Sequence, residues 1–414
     1  MNAFSLKRIG LLMACWLSAT LFRAQTADSI RLLFVGDLMQ HQAQMDAAKR
    51  PDGTYDYTSY FRQVRPEFDR ADLLVGNLEV TLGGKPYRGY PAFSAPDEFL
   101  YELKRVGFDV LLTANNHCLD RGRKGLERTV RMLDSLEIPH AGTYREVEER
   151  SRRYPLLVTV KGFRIVLLNY TYGTNGIPVT PPNYVNGIDR AQIREDILKA
   201  RRMKPDVIIA CMHWGIEYQS LPRRQERELA RWMIGLGVDH VIGSHPHVVQ
   251  PLEVLTDSVT PGRHLVAYSL GNFVSNMHPT GTDGGMMVSL TLRRVEGRTR
   301  LADCGYAFVW TSRPVLSRKP GYELYPLNIA DNLLNVNEKE RMSRFARAGT
   351  FVDGAGDERN KRILFLKFFR RKSCRFRKKS YLCNAFERKA NMVTIVQLVR
   401  ASDCGSECRG FESH

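Results

Sequence analysis

Carboxylates, amides and imidazoles recur in short glycine-marked clusters along the chain: Gly36-Asp37, Asn77-Leu78-Glu79, Asn115-Asn116-His117, His213-Trp214-Gly215, Gly243-Ser244-His245-Pro246-His247 and Ser269-Leu270-Gly271-Asn272-Phe273. Taken singly, a strand-end Asp or Asn usually caps a helix or closes a turn. A single His is usually a satisfied core or surface residue, and that reading covers His140, His240, His264 and His278. The ordered set Asp37, Glu79, Asn116, His213, His245 and His247 points instead to metal ligation. Mixed oxygen and nitrogen donors without thiolates suit one or two divalent ions of the Mn, Fe or Zn type better than Ca or Mg alone, and lack the sulfur of structural zinc. Two such ions about 3.5–4 Å apart clamp a phosphoryl group and activate a water, and a shared carboxylate reduces their repulsion.

Each cluster follows an apolar run. Ile30–Val35, Asp72–Val75, Val110–Leu112, Val207–Ile209, Val241–Ile242 and Leu265–Tyr268 run into the six clusters in turn, and Ile165–Leu168 is a further run. Their Val, Ile and Leu content reads as strands buried on both faces. Helical periodicity separates them: Glu98–Val106 with Asp97 as cap and Gly107 as stop, Gly125–Leu136, Asp189–Met203 and Arg224–Leu236. Alternating strands and helices predict an α/β sheet. Ligands of open α/β sheets bind outside the carboxyl ends of the strands, so the six clusters are expected to converge on one edge. Alternation over Met286–Arg293 predicts a late antiparallel strand, and Tyr172–Gly187 an ordered loop. There is no internal repeat.

The same motifs, in the same order over roughly residues 30–310, resemble the CapA-type capsule biosynthesis family, associated with poly-γ-glutamate and similar in fold to calcineurin-like metallophosphoesterases. The resemblance implies a four-layer αββα sandwich. It also implies roles: Asp37 and His247 on a first metal, Glu79 bridging in place of the usual Asp, and Asn116, His213 and His245 on a second. His117 falls where the phosphoesterases keep a general acid, with Asp120 to orient it. One position departs from the pattern. Met39 stands where a ligand His is expected, so the first metal is one ligand short unless Gln40 or His41 reaches in. Phe93, Trp214, Tyr218 and Asn272 divide evenly between structural and substrate-contact readings. Arg88 and Arg121 are candidates to meet an anionic substrate.

The net charge of +17 over 414 residues looks like a nucleic-acid signal, but residues 359–414 hold fifteen Lys/Arg against four Asp/Glu, leaving the body only mildly basic. No nucleic-acid partner is expected from it. Cys118, Cys211 and Cys304 are scattered through the body and form no disulfide framework or zinc-knuckle spacing. Residues 1–25 read as a targeting segment: Lys7-Arg8, then an apolar run Ile9–Phe22 too short for a comfortable span. Export is expected, with periplasmic, membrane-anchored and surface-exposed fates all open. The expected organisation is a domain over 29–330, a C-terminal extension over 331–357 and a basic tail over 358–414. That tail reads as a binder of anionic lipid or polymer, a solvated extension, or a translated tRNA gene, since Gly410-Phe411-Glu412-Ser413 can be encoded across a GTTCGA core. Three functions are weighed: a metal-dependent hydrolase or transferase of envelope polymer biosynthesis acting on a phosphoester or glutamyl linkage, a non-catalytic polymer-binding subunit working with membrane-embedded synthesis proteins, and a general two-metal phosphodiesterase.

Overall fold

The computed structural model describes residues 28–256, 262–328 and 333–348. The targeting segment and the basic tail lie outside them. In chain order the strands are β1 (Ser29–Leu38), β2 (Leu73–Leu78), β3 (Val110–Leu112), β4 (His140–Ala141), β5 (Thr143–Tyr144), β6 (Leu156–Val160), β7 (Phe163–Thr171) and β8 (Tyr184–Val185). They continue as β9 (Val207–His213), β10 (His240–Ser244), β11 (Leu252–Thr256), β12 (Arg263–Ala267), β13 (Asn272–Val274), β14 (Gly284–Val295), β15 (Arg298–Ser312) and β16 (Glu323–Pro326).

These strands form two mixed sheets. The first runs β16-β15-β14-β1-β2-β3-β4, with β13 pairing the end of β1. The second runs β11-β12-β10-β9-β7-β6, and β5 and β8 make a small ribbon. The sheets meet through β1 against β10 and β4 against β7. Asn169 on β7 closes the seam, its Oδ1 accepting from the backbone amides of Thr113 (3.2 Å) and Ala114 (2.8 Å). Helices 190–202 and 224–235 cover the second sheet, where Ile193, Ile197, Leu229 and Met233 share a core with Ile208, Ala210 and Met212. Helix 97–105 and an aromatic group built on Phe61, Phe68, Phe99, Phe108 and Phe273 pack on the first. The layers are helix, sheet, sheet, helix: the α/β sandwich that the resemblance implies.

Three details depart from the sequence reading. Asp97 is the first helical residue, not the cap; its carboxylate makes a bidentate pair with Arg128 at 2.6 and 2.8 Å. The ligand-bearing strand ends are divided between two sheets, where one open sheet would have put them on a single edge. The loop over 172–187 contains β8. A helix over Val336–Ala348 also forms within the expected extension. It is opened by a capping box in which Asn335 and Glu338 bond reciprocally (2.8 and 3.0 Å), and Met342 and Phe345 are buried. Arg341 reaches back to Asp283, which also pairs with Arg313.

Candidate metal centre

The centre is built where the carboxyl ends of β1, β2 and β3 meet those of β9 and β10. Gly36 is an extra residue in β1: Val35 pairs with Gly76 and Asp37 with Asn77, leaving Gly36 unmatched. Such a bulge re-aims the next side chain, here Asp37. A Cβ on Gly36 would lie 2.0 Å from the Gly271 carbonyl oxygen, so the close strand approach demands glycine. Gly243 has the same role beside β12, since its Cβ would lie 1.9 Å from the Tyr268 carbonyl oxygen. After β10 the chain turns sharply, with His245 at φ +98° and His247 at φ +59°. Left-handed backbone at non-glycine residues costs of order 1–3 kcal/mol and collects at functional sites.

The six expected ligands are all buried and lie together. Candidate ligand atoms of Asp37, Glu79 and His213 are within 4.8 Å of one another, as are those of Glu79, His245 and His247. Glu79 belongs to both groups. Its Oε1 is 3.5 Å from His213 Nε2 and 3.8 Å from His247 Nε2. His213 Nε2 also meets Asn116 Oδ1 at 2.7 Å. Asp37 and His247 also lie together, with Oδ2 and Nδ1 3.1 Å apart.

A second set of residues holds these in place. Asn77 Nδ2 donates to Asp37 Oδ1 (2.8 Å) and lies 3.4 Å from Glu79 Oε2 and 3.2 Å from His213 Nδ1. Ser244 Oγ stands 3.1 Å from His213 Nδ1. His247 Nδ1 lies 3.0 Å from Asn272 Oδ1 and 3.1 Å from Asp37 Oδ2, so its proton is held on Nδ1 and Nε2 is left free.

The electrostatics fit a cation. Burial pushes the Glu79 carboxyl well above its usual range, and the neighbouring Asp37 carboxylate pushes it the same way. Burial, then the adjacent imidazoles, drive His213 well below its usual value and His245 down to about 3. Both rings are therefore neutral at physiological pH, the form that ligates. Glu79 Oε1 and His245 Nδ1 have no hydrogen-bond partner. Two buried carboxylates, neutral imidazoles and orphaned donor atoms at one point are chemically suited to a divalent ion.

The other expected residues divide. His117 Nδ1 lies 2.7 Å from Asp120 Oδ2, which also accepts from the Phe93 amide at 2.8 Å. Phe93 packs edge-on against His117 with centroids 4.7 Å apart. Met39 is buried and holds its strand through its amide to the Val274 carbonyl oxygen (2.8 Å). His41 Nδ1 is engaged by Gln44 Oε1 (3.2 Å) and the Asn276 amide (3.3 Å), and burial drives the ring down to about 4. Gln40 is buried with both side-chain polar atoms unpartnered. Trp214 is structural, its Nε1 donating to the Tyr268 carbonyl oxygen at 2.9 Å. The stem of Arg121 lies against Gly83 and Gly125, and Arg88 closes its loop through backbone bonds to Ser94. His140, His240 and His264 each use Nδ1 on backbone groups of their own sheet ends, and His278 meets Arg313. Sequence reasoning passed over Asn77, Ser244, Asn175 and Tyr172. Asn77 stood inside a quoted motif, but only the packing of one sheet on the other shows that it touches both.

Fold and centre together define an α/β sandwich carrying a buried carboxylate–imidazole–amide site between two sheets. A family model described as "Bacterial capsule synthesis protein PGA_cap" matches residues 31–277, and the chain belongs to that family. It is similar to the capsule biosynthesis protein CapA of Bacillus anthracis, 27% identical over 277 residues, covering 64% of each chain. It is 30% identical over 278 residues to the PGA biosynthesis protein CapA of Bacillus subtilis (strain 168), covering 64% of this chain and 69% of the relative. The chain thus spans roughly two thirds of the length of these relatives. A probable polyglutamine synthesis accessory protein of Mycobacterium tuberculosis is 27% identical over 203 residues, covering 44% of this chain and 52% of that one. Among solved structures, a calcineurin-like phosphoesterase of Bacillus subtilis aligns with TM-score 0.41 at 15% identity, covering 78% of this chain and 97% of that one.

Proposed function

We propose that this is an exported capsule or envelope polymer biosynthesis protein. Its centre of Asp37, Glu79, Asn116, His213, His245 and His247 would hold one or two divalent ions of the Mn, Fe or Zn type, and it would act as a metal-dependent hydrolase or transferase on a phosphoester or glutamyl-polymer linkage. The observation that carries this reading is the placing of orphaned Glu79 Oε1 within 4 Å of the His213 and His247 imidazoles. A divalent ion bound there would supply Lewis acidity and lower the pKa of a water. Glu79, shared by both ligand groups, would offset its charge. Asn77 and Asn272 orient Asp37 and His247. Asp120 holds the Nδ1 proton of His117, which leaves Nε2 to exchange a proton with the leaving group. Poly-γ-glutamate is the polymer that the family resemblance implies, in keeping with relatives named for capsule and PGA biosynthesis, and membrane-embedded synthesis proteins would be the partners.

A second reading rests on Met39: with that ligand missing, the centre would bind metal without turnover, and the protein would serve as a polymer-binding subunit. Aryl-phosphodiester and γ-glutamyl amide hydrolysis, measured in wild type and His213→Ala, separates the two. Turnover lost in the variant supports the enzyme. Bound metal with no turnover on either linkage supports the subunit.

A further inference from the structure

Three exposed tyrosines rim the buried centre, each against one of its histidines. Tyr90 is 70% exposed with its ring 6.4 Å from His117; Tyr172 is 48% exposed and 4.4 Å from His245; Tyr218 is 44% exposed and 6.4 Å from His247. Solvent-facing aromatic rings have no packing reason to gather at one place. Their positions are fixed by the ligand-bearing backbone. The Tyr172 amide donates to the His213 carbonyl oxygen (2.9 Å), and the Tyr218 amide to the Pro246 carbonyl oxygen (2.8 Å). Tyr218 is held at φ +64°, a strained geometry for an aromatic residue. Of the non-glycine residues with positive φ, Glu137, Lys161, Lys204, Glu296 and Arg318 lie at turns or helix ends away from the centre, whereas Asn175, Tyr218, His245 and His247 surround it.

The rim carries a carboxylate. Glu217 acts electrostatically on Tyr218, Tyr172 and Glu79, and Tyr90 acts on Tyr218. Among the described residues, no arginine or lysine stands over the ring of Tyr90, Tyr172 or Tyr218. Tyrosine faces carry a negative quadrupole and attract ammonium groups. A polyanion stretched across the rim would meet a carboxylate and three such faces.

We propose that Tyr90, Tyr172, Tyr218 and Glu217 form a subsite for a positively charged ammonium group of the substrate, such as the free amine end of a peptidic polymer, beside the metal-facing bond. The choice of a peptidic polymer rests on the function proposed above; the ammonium site itself does not. The anionic part of such a substrate would then lie toward the metal and the amine toward the rim.

The test uses the full chain and two probes of similar shape, tetramethylammonium and neutral tert-butanol, titrated by saturation-transfer NMR, with metal content measured on the same samples. Tetramethylammonium is expected to bind about tenfold more tightly than tert-butanol, the fold-change of a cation–π site of roughly 1–2 kcal/mol. Glu217→Gln and Tyr172→Leu are expected to erase that preference and leave metal content unchanged. Equal binding of both probes, or preference for the neutral one, overturns the ammonium subsite whether or not metal is bound. Wild-type protein that shows the preference but holds no metal overturns the metal reading and not this one. Preference retained in both variants shows that the cation binds elsewhere and also overturns the proposal.

Discussion

Glu79 sits between His213 and His247 with one oxygen unbonded and the Asp37 carboxylate beside it. Such an arrangement is unfavourable without a cation and favourable with one. Replacing Glu79 by Gln is therefore expected to abolish stoichiometric metal binding while the fold survives, checked by elemental analysis together with circular dichroism. Asn272 acts one step out, through His247 Nδ1. Asn272→Ala should weaken metal affinity by about 10–100-fold without removing it, as outer-shell changes do, measured by competition with a chelator. His117 is bonded to Asp120 rather than to the ligand groups. His117→Asn should leave metal content at the wild-type value and lower turnover by about 10²–10⁴-fold, since a proton-transfer group is lost and no ligand is. A matching loss of metal in that variant would make His117 a ligand and not an acid. The ligand types at these positions were legible in the sequence, because each stands just after an apolar run. Asn77 and Ser244 as organisers were not: Asn77 meets His213, 136 residues away, only once the two sheets pack, and Ser244 meets it, 31 residues away, only once β10 pairs with β9.

Strand ends and the turns after them decide where the ligands point. Gly243 has no space for a side chain between β10 and β12. Gly243→Ala should lower the melting temperature and displace His245 and His247, so metal affinity falls with stability; a variant as stable as wild type would mean the strands part easily enough to relieve a Cβ placed 1.9 Å from the Tyr268 carbonyl oxygen. The seven apolar runs became strands because Val, Ile and Leu covered on both faces have no other compact home. Assigning them to two sheets needed information that periodicity lacks, since a buried strand reads the same in either sheet. The helix over Val336–Ala348 was hidden by its polar surface. Its docking depends on two buried side chains, Met342 and Phe345, and on Arg341 pairing with Asp283. Phe345→Ala is expected to cost about 3 kcal/mol, read from urea unfolding, and to loosen this helix first.

For the whole molecule, buried histidines couple stability to pH. Burial drives His240 and His245 down to about 3 and His41 to about 4, and it drives His213 well below its usual value. For an imidazole depressed in the folded state, the unfolded chain binds the extra proton. Stability is full above pH about 6.5 and is lost as pH falls from there toward 3, by at most about 1.4 kcal/mol per pH unit for each such group. Acid titration of the metal-free protein should show this loss beginning near pH 6.5. A stability flat down to pH 4 would mean that these rings are protonated in the fold. Among the described residues no helix is long and apolar enough to cross a membrane.

Metal binding at the six-residue centre underlies every catalytic role proposed for its side chains. Elemental analysis of the full chain, purified without added chelator or metal, tests it directly beside His213→Ala. The expected result is one or two equivalents of Mn, Fe or Zn in wild type and a clear loss in the variant. Wild-type protein that holds no divalent metal and takes none up on titration would contradict it.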